Sequence, residues 1–292
     1  MPILGAHQST AGGYHKAIQR AVETGCDCVQ LFTKNCNQWK AAPITAGEAE
    51  QFRTAARESE IGHLVSHDSY LINLASPDDD LWRRSIDAFI VELQRADTLG
   101  IPYVVTHPGA YTTGTPEGGL RRVAEALDEV HRQTTGLHAR CLLETTAGQG
   151  TCLGWQFEQL AAILDGVREP DRLGVCLDTC HIFAAGYPLG TAVEYAATMD
   201  ALAATVGIDR VKAIHLNDSR RELGSRVDRH DHIGRGKLGL APFRNLLRDP
   251  RFHEVPMYLE TPKAEEDGEA MDCVNLRVLR ELTKKKRMKA EG

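Results

Sequence analysis

The sequence predicts a closed (β/α)8 barrel, built as one domain over residues 1–292. Three observations predict it. Short β-branched and Leu-rich runs recur along the chain, each ending in polar residues and each followed by an amphipathic, helix-like stretch. Successive runs start between 24 residues (2 to 26) and 44 residues (211 to 255) apart, about one strand–helix unit with its two loops. Eight such units fill the 292 residues, a usual length for a barrel of this class. Periodicity cannot see closure, so an open doubly wound sheet is the alternative.

Taken in order, the run 2–8 precedes a helix over 13–24, and the run 26–33 precedes one over 48–60. The run 64–70 leads into the longest helix, 78–99, whose apolar positions are Leu81, Trp82, Ile86, Phe89, Ile90 and Leu93. Runs 102–107 and 140–145 are followed by helices over 116–133 and 154–165. Runs 173–178, 211–216 and 255–261 are followed by helices over 191–206, 241–248 and 269–285. The block KKKRMK at 284–289 reads as a solvated, frayed tail over 284–292, with a phosphate-contacting tail as the alternative.

Hydrophobic residues at 42% and charged residues at 25% exclude a disordered, collagen-like or coiled-coil chain. The N-terminal MPILGAHQS lacks the cationic and apolar regions of a secretory signal, and no run of about 18 apolar residues offers a membrane span. The eight cysteines form no Cys-x-x-Cys pair, and several fall inside apolar runs. Reduced thiols and a cytoplasmic location are expected. The formal charge of −6 by itself argues mildly against a nucleic-acid partner.

In a barrel of this class the downstream strand ends carry the active site. Here those ends carry metal-ligand chemistry. Run three ends in VSHDSY with His67, run four in VVTHPG with His107, and run five in LLETTAGQG with Glu144. Run six ends in VCLDTCH with Asp178 and His181, and run seven in AIHLND with His215. The loop VDRH adds Asp228 and His230, and run eight, YLET, adds Glu260. One metal needs three or four protein ligands, so this surplus implies a multinuclear site. Imidazole and carboxylate without thiolate suit Zn²⁺, or a similar ion such as Mn²⁺ or Fe²⁺.

Side-chain parity refines the assignment. With Asp178 aimed into the barrel mouth, Cys176 faces the barrel interior, and Val175 and Leu177 face the helices. His181, three residues on, has the opposite parity, so the chain must already be turning and the two residues serve different metals. Asp228 and His230, two apart in an extended loop, project to one side and can share a metal. Each histidine taken alone would more often be structural; their convergence reverses that. His7 ends the first run and can line the pocket or support a ligand. GRGKLG at 234–239 reads either as a backbone phosphate cradle or as a plain tight turn.

These residues resemble the endonuclease IV family of apurinic/apyrimidinic DNA repair nucleases. The likeness runs end to end through HDSYLIN at 67–73, HPGAY at 107–111, TAGQG at 146–150, GVCLDTCHIFAAGY at 174–187, HLND at 215–218, VDRH at 227–230 and LET at 259–261. The resemblance implies a TIM barrel with three zinc ions. It gives the first ion His67, His107 and Glu144, the second Glu144, Asp178, His215 and Glu260, and the third His181, Asp228 and His230. It also implies hydrolysis of the phosphodiester 5′ to an abasic site, leaving a 3′-hydroxyl and a 5′-deoxyribose phosphate, with removal of 3′-blocking groups as a second activity. Glu144 and Glu260, catalytic by this likeness, orient the metal cluster rather than act as separate bases.

Three divalent ions bring +6 against the formal −6, which weakens the charge objection to DNA. The partner implied is duplex DNA with abasic sites or 3′-blocked ends, bound by a monomer. Lys34, Lys40, Arg220, Arg221, Arg226, Arg229, Arg235 and Lys237 fall in loops on the metal side and are candidate phosphate contacts, with a solvated face as the plainer reading for part of them. By the resemblance, Tyr70 and Leu71 match the aromatic–aliphatic pair that enters the duplex. Asn37 stands where the family typically carries Arg, and a shorter, uncharged side chain pushes less strongly into the base stack. Arg235, Thr145 and Pro188 also replace the family's usual acidic residue, Asn and Asp. Two other readings share these residues: a two-metal sugar isomerase, and a binder of damaged DNA that does not cleave it.

Overall fold

The computed structural model describes residues 1–284. Along the chain run β1 (Leu4–His7), α1 (Tyr14–Glu23), β2 (Cys28–Phe32), α2 (Ala46–Glu58), β3 (His63–His67) and α3 (Asp79–Leu99). Next come β4 (Tyr103–Thr106), α4 (Pro116–Gln133), β5 (Arg140–Glu144), α5 (Phe157–Gly166), β6 (Leu173–Asp178), α6 (Thr179–Ala185) and α7 (Ala192–Thr205). The chain continues through β7 (Val211–His215), the short pair β8 (Asp218–Ser219) and β9 (His230–Asp231), α8 (Ala241–Arg248) and β10 (Met257–Leu259). A two-strand turn, β11 (Glu265–Glu266) and β12 (Glu269–Ala270), leads into α9 (Met271–Thr283).

Eight parallel strands close into a barrel in the order β1-β10-β7-β6-β5-β4-β3-β2. Closure decides between the two sheet arrangements that strand–helix alternation left open. The pleat separates two cores. Cys28, Val65, Val105, Leu142, Cys176, Ala213 and Tyr258 fill the barrel interior, whereas Val175, Leu177 and the apolar helix faces form the surrounding layer. Gly5 lets β1 and β2 approach, because a Cβ there would lie 1.8 Å from the Cys28 carbonyl oxygen.

Several features escape the sequence pattern, among them α6 and the short strand pairs β8–β9 and β11–β12. α6 starts directly at Asp178, whose carboxylate caps it by accepting from the His181 N–H at 2.8 Å. Its residues are almost all buried, so there is no polar face to produce a helical period. The β8–β9 pair joins Asp218 to Asp231 and Ser219 to His230, too few residues to alternate visibly. α5 begins at Phe157 rather than 154, because Gly154 has a φ of +90° and the segment before the helix is still turning. Apart from Lys284, the 284–292 tail lies outside the described residues. Among the described residues no helix is long and apolar enough to cross a membrane.

Candidate metal centre

The barrel brings the carboxyl ends of its strands to one mouth. His67, Glu144, Asp178 and His215 are the last residues of β3, β5, β6 and β7, and His107 and Glu260 each follow their strand by one residue. The β6–β7 register shifts between Val175 and Cys176, which sets Asp178 opposite His215. His181 comes from the first turn of α6, and Asp228 and His230 reach in from the loop that ends in β9. All nine ligand-type residues therefore converge.

They form three abutting groups. His67 Nε2 and His107 Nε2 each lie 3.1 Å from Glu144 Oε2. The other oxygen of Glu144, Oε1, lies 3.0 Å from His215 Nδ1, which is also 3.1 Å from Glu260 Oε2 and 3.8 Å from Asp178 Oδ2. In the third, Asp228 Oδ2 is 3.3 Å from His181 Nε2 and Oδ1 is 3.2 Å from His230 Nε2, with the two ring nitrogens 3.4 Å apart. Asp178 lies between the second and third groups, since its ligand atom also falls within 4.8 Å of those of His181 and His230. Cys180, absent from the expected ligands, also has its ligand atom within 4.8 Å of those of Asp228 and His230.

The donor pattern fits cations. His67 Nδ1 meets the Asp68 carbonyl at 3.1 Å, His181 Nδ1 the Thr145 carbonyl at 2.8 Å, and His230 Nδ1 the Glu260 carbonyl at 3.2 Å. A carbonyl only accepts, so these ring nitrogens donate and each ring turns its other nitrogen towards the carboxylates. Lone pair facing lone pair requires positive charge between them. Without a metal, the rings' second protons supply it. Burial pushes Glu144 up, but His215, His107 and His181 overcome this and hold it well below the carboxylate range. Burial likewise opposes charge on His67 and His230, yet Glu144 and Asp228 respectively raise both to about 9.

A polar shell supports the groups. Asn217 donates to Asp178 Oδ2 at 2.6 Å and accepts from the Glu260 N–H at 2.9 Å. Thr145 Oγ1 accepts from the Asp178 N–H at 2.9 Å. Gln30, which sequence reasoning passed over, is fully buried and touches His7, His215 and Glu260. Its signal was a polar residue interrupting the apolar run VQLF, in phase with interior-facing Cys28. His7 ends β1 beside it, and burial lowers its ring to about 3, so it is neutral.

Around the mouth, Tyr70 is 60% exposed, with its ring centroid 5.7 Å from those of Phe32 and His67. Leu71 beside it is half-buried, and Asn37 is exposed in the β2–α2 loop. Arg229 is exposed and lines a cleft of about 160 Å³ with His107, His181 and Asp228.

One expectation is corrected and one open choice is decided. Lys34 is not a surface cation: its side chain is 2% exposed and its ammonium lies 3.0 Å from Glu92 Oε1, so it is committed to the protein and closed to phosphate. Of the two readings of the GRGKLG loop, a phosphate cradle or a tight turn, the structure favours the turn. Gly234, Gly236 and Leu238 donate their N–H groups to the Asp218 carboxylate at 2.9–3.1 Å, which makes the segment a turn wound on that side chain. Three further cations are paired as well: Arg220 with Asp231, Arg235 with Glu266 and Lys237 with Glu222. Arg226 stacks 3.8 Å over the Trp155 ring. Pro188 accepts from Thr198 Oγ1 through its carbonyl, at 2.8 Å.

Residues 18–282 match the family model described as a xylose isomerase-like TIM barrel. The chain is 50% identical to a probable endonuclease 4 of Trichlorobacter lovleyi over 279 residues, covering 96% of this chain and 99% of that protein. It is 51% identical to a probable endonuclease 4 of Chloroflexus aurantiacus, over 97% of this chain and 98% of that one. The crystal structure of endonuclease IV from Thermus thermophilus superposes with a TM-score of 0.85 at 38% identity, over 96% and 98% of the two chains. With half its residues shared with such relatives along nearly its whole length, the chain belongs to the endonuclease IV family and is a nuclease of that type.

Proposed function

We propose that this chain is a zinc-dependent endonuclease that hydrolyses the phosphodiester 5′ to abasic sites in duplex DNA. The products are a 3′-hydroxyl and a 5′-deoxyribose phosphate, and the same centre removes 3′-blocking groups. One observation carries the reading: nine imidazole and carboxylate side chains meet in three abutting groups at the barrel mouth, with Glu144 facing the first through one oxygen and the second through the other. His67, His107 and Glu144 would hold one ion, Glu144, Asp178, His215 and Glu260 a second, and His181, Asp228 and His230 a third. Bound there, divalent cations supply Lewis acidity, polarising a phosphoryl oxygen and acidifying ligated water.

The chain's own residues orient and grip. Glu144 and Glu260 hold the groups in register, and their backing by His215 and Gln30 keeps them from swinging. Tyr70, exposed beside the mouth, supplies a flat aromatic surface for a base or for the gap at a lesion, with Leu71 next to it. Arg229 contacts phosphate, and Asn37 probes the stack without the charge of an arginine. The chain acts as one domain and as a monomer, because a DNA strand must reach an unobstructed mouth, and its eight free cysteines suit a cytoplasmic location.

Purified holo-protein is expected to nick an abasic-site duplex without added Mg²⁺, and Glu260→Gln to abolish nicking while largely sparing DNA binding. Plasma emission is expected to find close to three metal ions per chain. Binding without cleavage at full zinc loading would return the non-catalytic binder, and two or fewer ions would return the isomerase.

A further inference from the structure

We infer that Gln30 is a positioning residue for the metal centre, its amide selecting which nitrogen of His215 and which oxygen of Glu260 face a bound cation. The inference rests on the three-ion reading above. Gln30 lies in β2, pairs in register with His7 of β1, and is 0% exposed. Its side-chain amide meets three groups. Oε1 is 2.7 Å from His215 Nε2, and Nε2 is 2.5 Å from Glu260 Oε1 and 3.0 Å from His7 Nδ1.

Donor and acceptor chemistry fixes the orientation. An ionised carboxylate only accepts, so the NH₂ end of the amide faces Glu260. The second N–H of that group points to His7 Nδ1, which therefore carries a lone pair. The amide oxygen is left against His215 Nε2 and requires a proton there. The free nitrogen of His215 is then Nδ1, the atom 3.0 Å from Glu144 Oε1 and 3.1 Å from Glu260 Oε2. Glu260 is selected in the same way: Oε1 is engaged by Gln30 and Oε2 is left for the cation. A single uncharged side chain thus sets one imidazole tautomer and one carboxylate rotamer, a task that an acidic residue or backbone carbonyl often performs beside metal-bound histidine. Reversing the amide would set oxygen against carboxylate and leave His215 Nε2–H facing another donor.

The test uses full-length protein and zinc alone. Gln30→Met keeps the length and removes all three hydrogen bonds, while Gln30→Glu keeps the acceptor for His215 but sets a second carboxylate against Glu260. In zinc titrations against a chromophoric chelator, each variant is expected to bind one of three ions about 10–100-fold more weakly and the other two as the wild type does. Side-chain ¹⁵N spectra of zinc-loaded wild type are expected to show the His215 proton on Nε2. Wild-type affinity at all three sites in both variants would overturn the inference. So would a His215 proton on Nδ1, or an equal loss at all three sites with a lower melting temperature of the zinc-free protein. A wild-type chain that binds no zinc would overturn the three-ion reading itself, and this inference with it. If Gln30→Met does not fold, Gln30→Glu and the wild-type spectrum decide.

Discussion

Replacing Glu92 by leucine tests whether the β2–α2 loop is held from behind by buried charge. Glu92 lies on α3, 1% exposed, with Oε1 3.0 Å from Lys34 Nζ and Oε2 accepting from Thr33 Oγ1 at 2.8 Å. Arg95, on the same helix, donates to the Thr33 carbonyl at 2.5 Å, to Tyr14 at 2.7 Å and to the Ala42 carbonyl at 2.7 Å. Ser69 closes the other side by donating to the Cys36 carbonyl at 2.6 Å. Removing the Glu92 carboxylate leaves the Lys34 ammonium buried, with the Gln38 carbonyl at 2.9 Å as its remaining hydrogen-bond partner. Breaking one side of a buried pair costs about 3–5 kcal/mol. At roughly 2 °C per kcal/mol for a chain this long, the melting temperature falls by about 6–10 °C. Guanidinium unfolding of Glu92→Leu, Lys34→Met and the double variant reads the pair directly, and the double variant is expected to lose much less than the sum of the singles. A loss under about 1 kcal/mol for Glu92→Leu, or single losses that add within about 0.5 kcal/mol, would refute the reasoning.

Glu144→Gln keeps the side chain's shape but removes the charge that two groups share, so it is expected to lower the bound zinc count by more than one, whereas His230→Ala lowers it by about one. Plasma emission measures both, and equal losses would speak against a shared carboxylate. Arg229→Ala is expected to reduce the slope of log affinity for DNA against log salt by about one, and Lys34→Met to leave that slope unchanged. Fluorescence anisotropy across a salt series separates them, and a reduced slope for Lys34→Met would contradict its burial. His131 is 3% exposed, and burial with Arg172 nearby lowers its ring to about 4. Its folded pKa lies below the unfolded value, so its contribution to stability is present above about 6.5 and lost as pH falls towards about 4. On acidification over that window wild type is expected to lose stability relative to His131→Leu, read as the pH dependence of the difference between their unfolding free energies, and a pH-independent difference would remove His131 from the acid response.

The barrel was legible because parallel strands are buried on both faces and stand out as short apolar runs between amphipathic stretches. The ligand-type residues were legible for a related reason. Once the runs are strands of one barrel, their downstream ends share a mouth, and His67, Glu144, Asp178 and His215 sit at those ends. Parity carried further, separating interior Cys176 from Val175 and Leu177. Parity also placed a turn before His181, but no period reveals α6, six of whose seven residues are buried, or the loops.

Sequence alone therefore determined what depends on local order: the alternation of elements, the residue types at strand ends, and the family that these motifs resemble. Tertiary structure alone decided which charges are spent inside the protein. Lys34 meets Glu92 from another element, the amides of the GRGKLG turn wrap Asp218, and Arg235 pairs with Glu266. It also brought Gln30 between His7, His215 and Glu260. Hydrogen bonds and ion pairs act over about 3 Å between atoms distant in the chain, so their partners exist only after the barrel has closed.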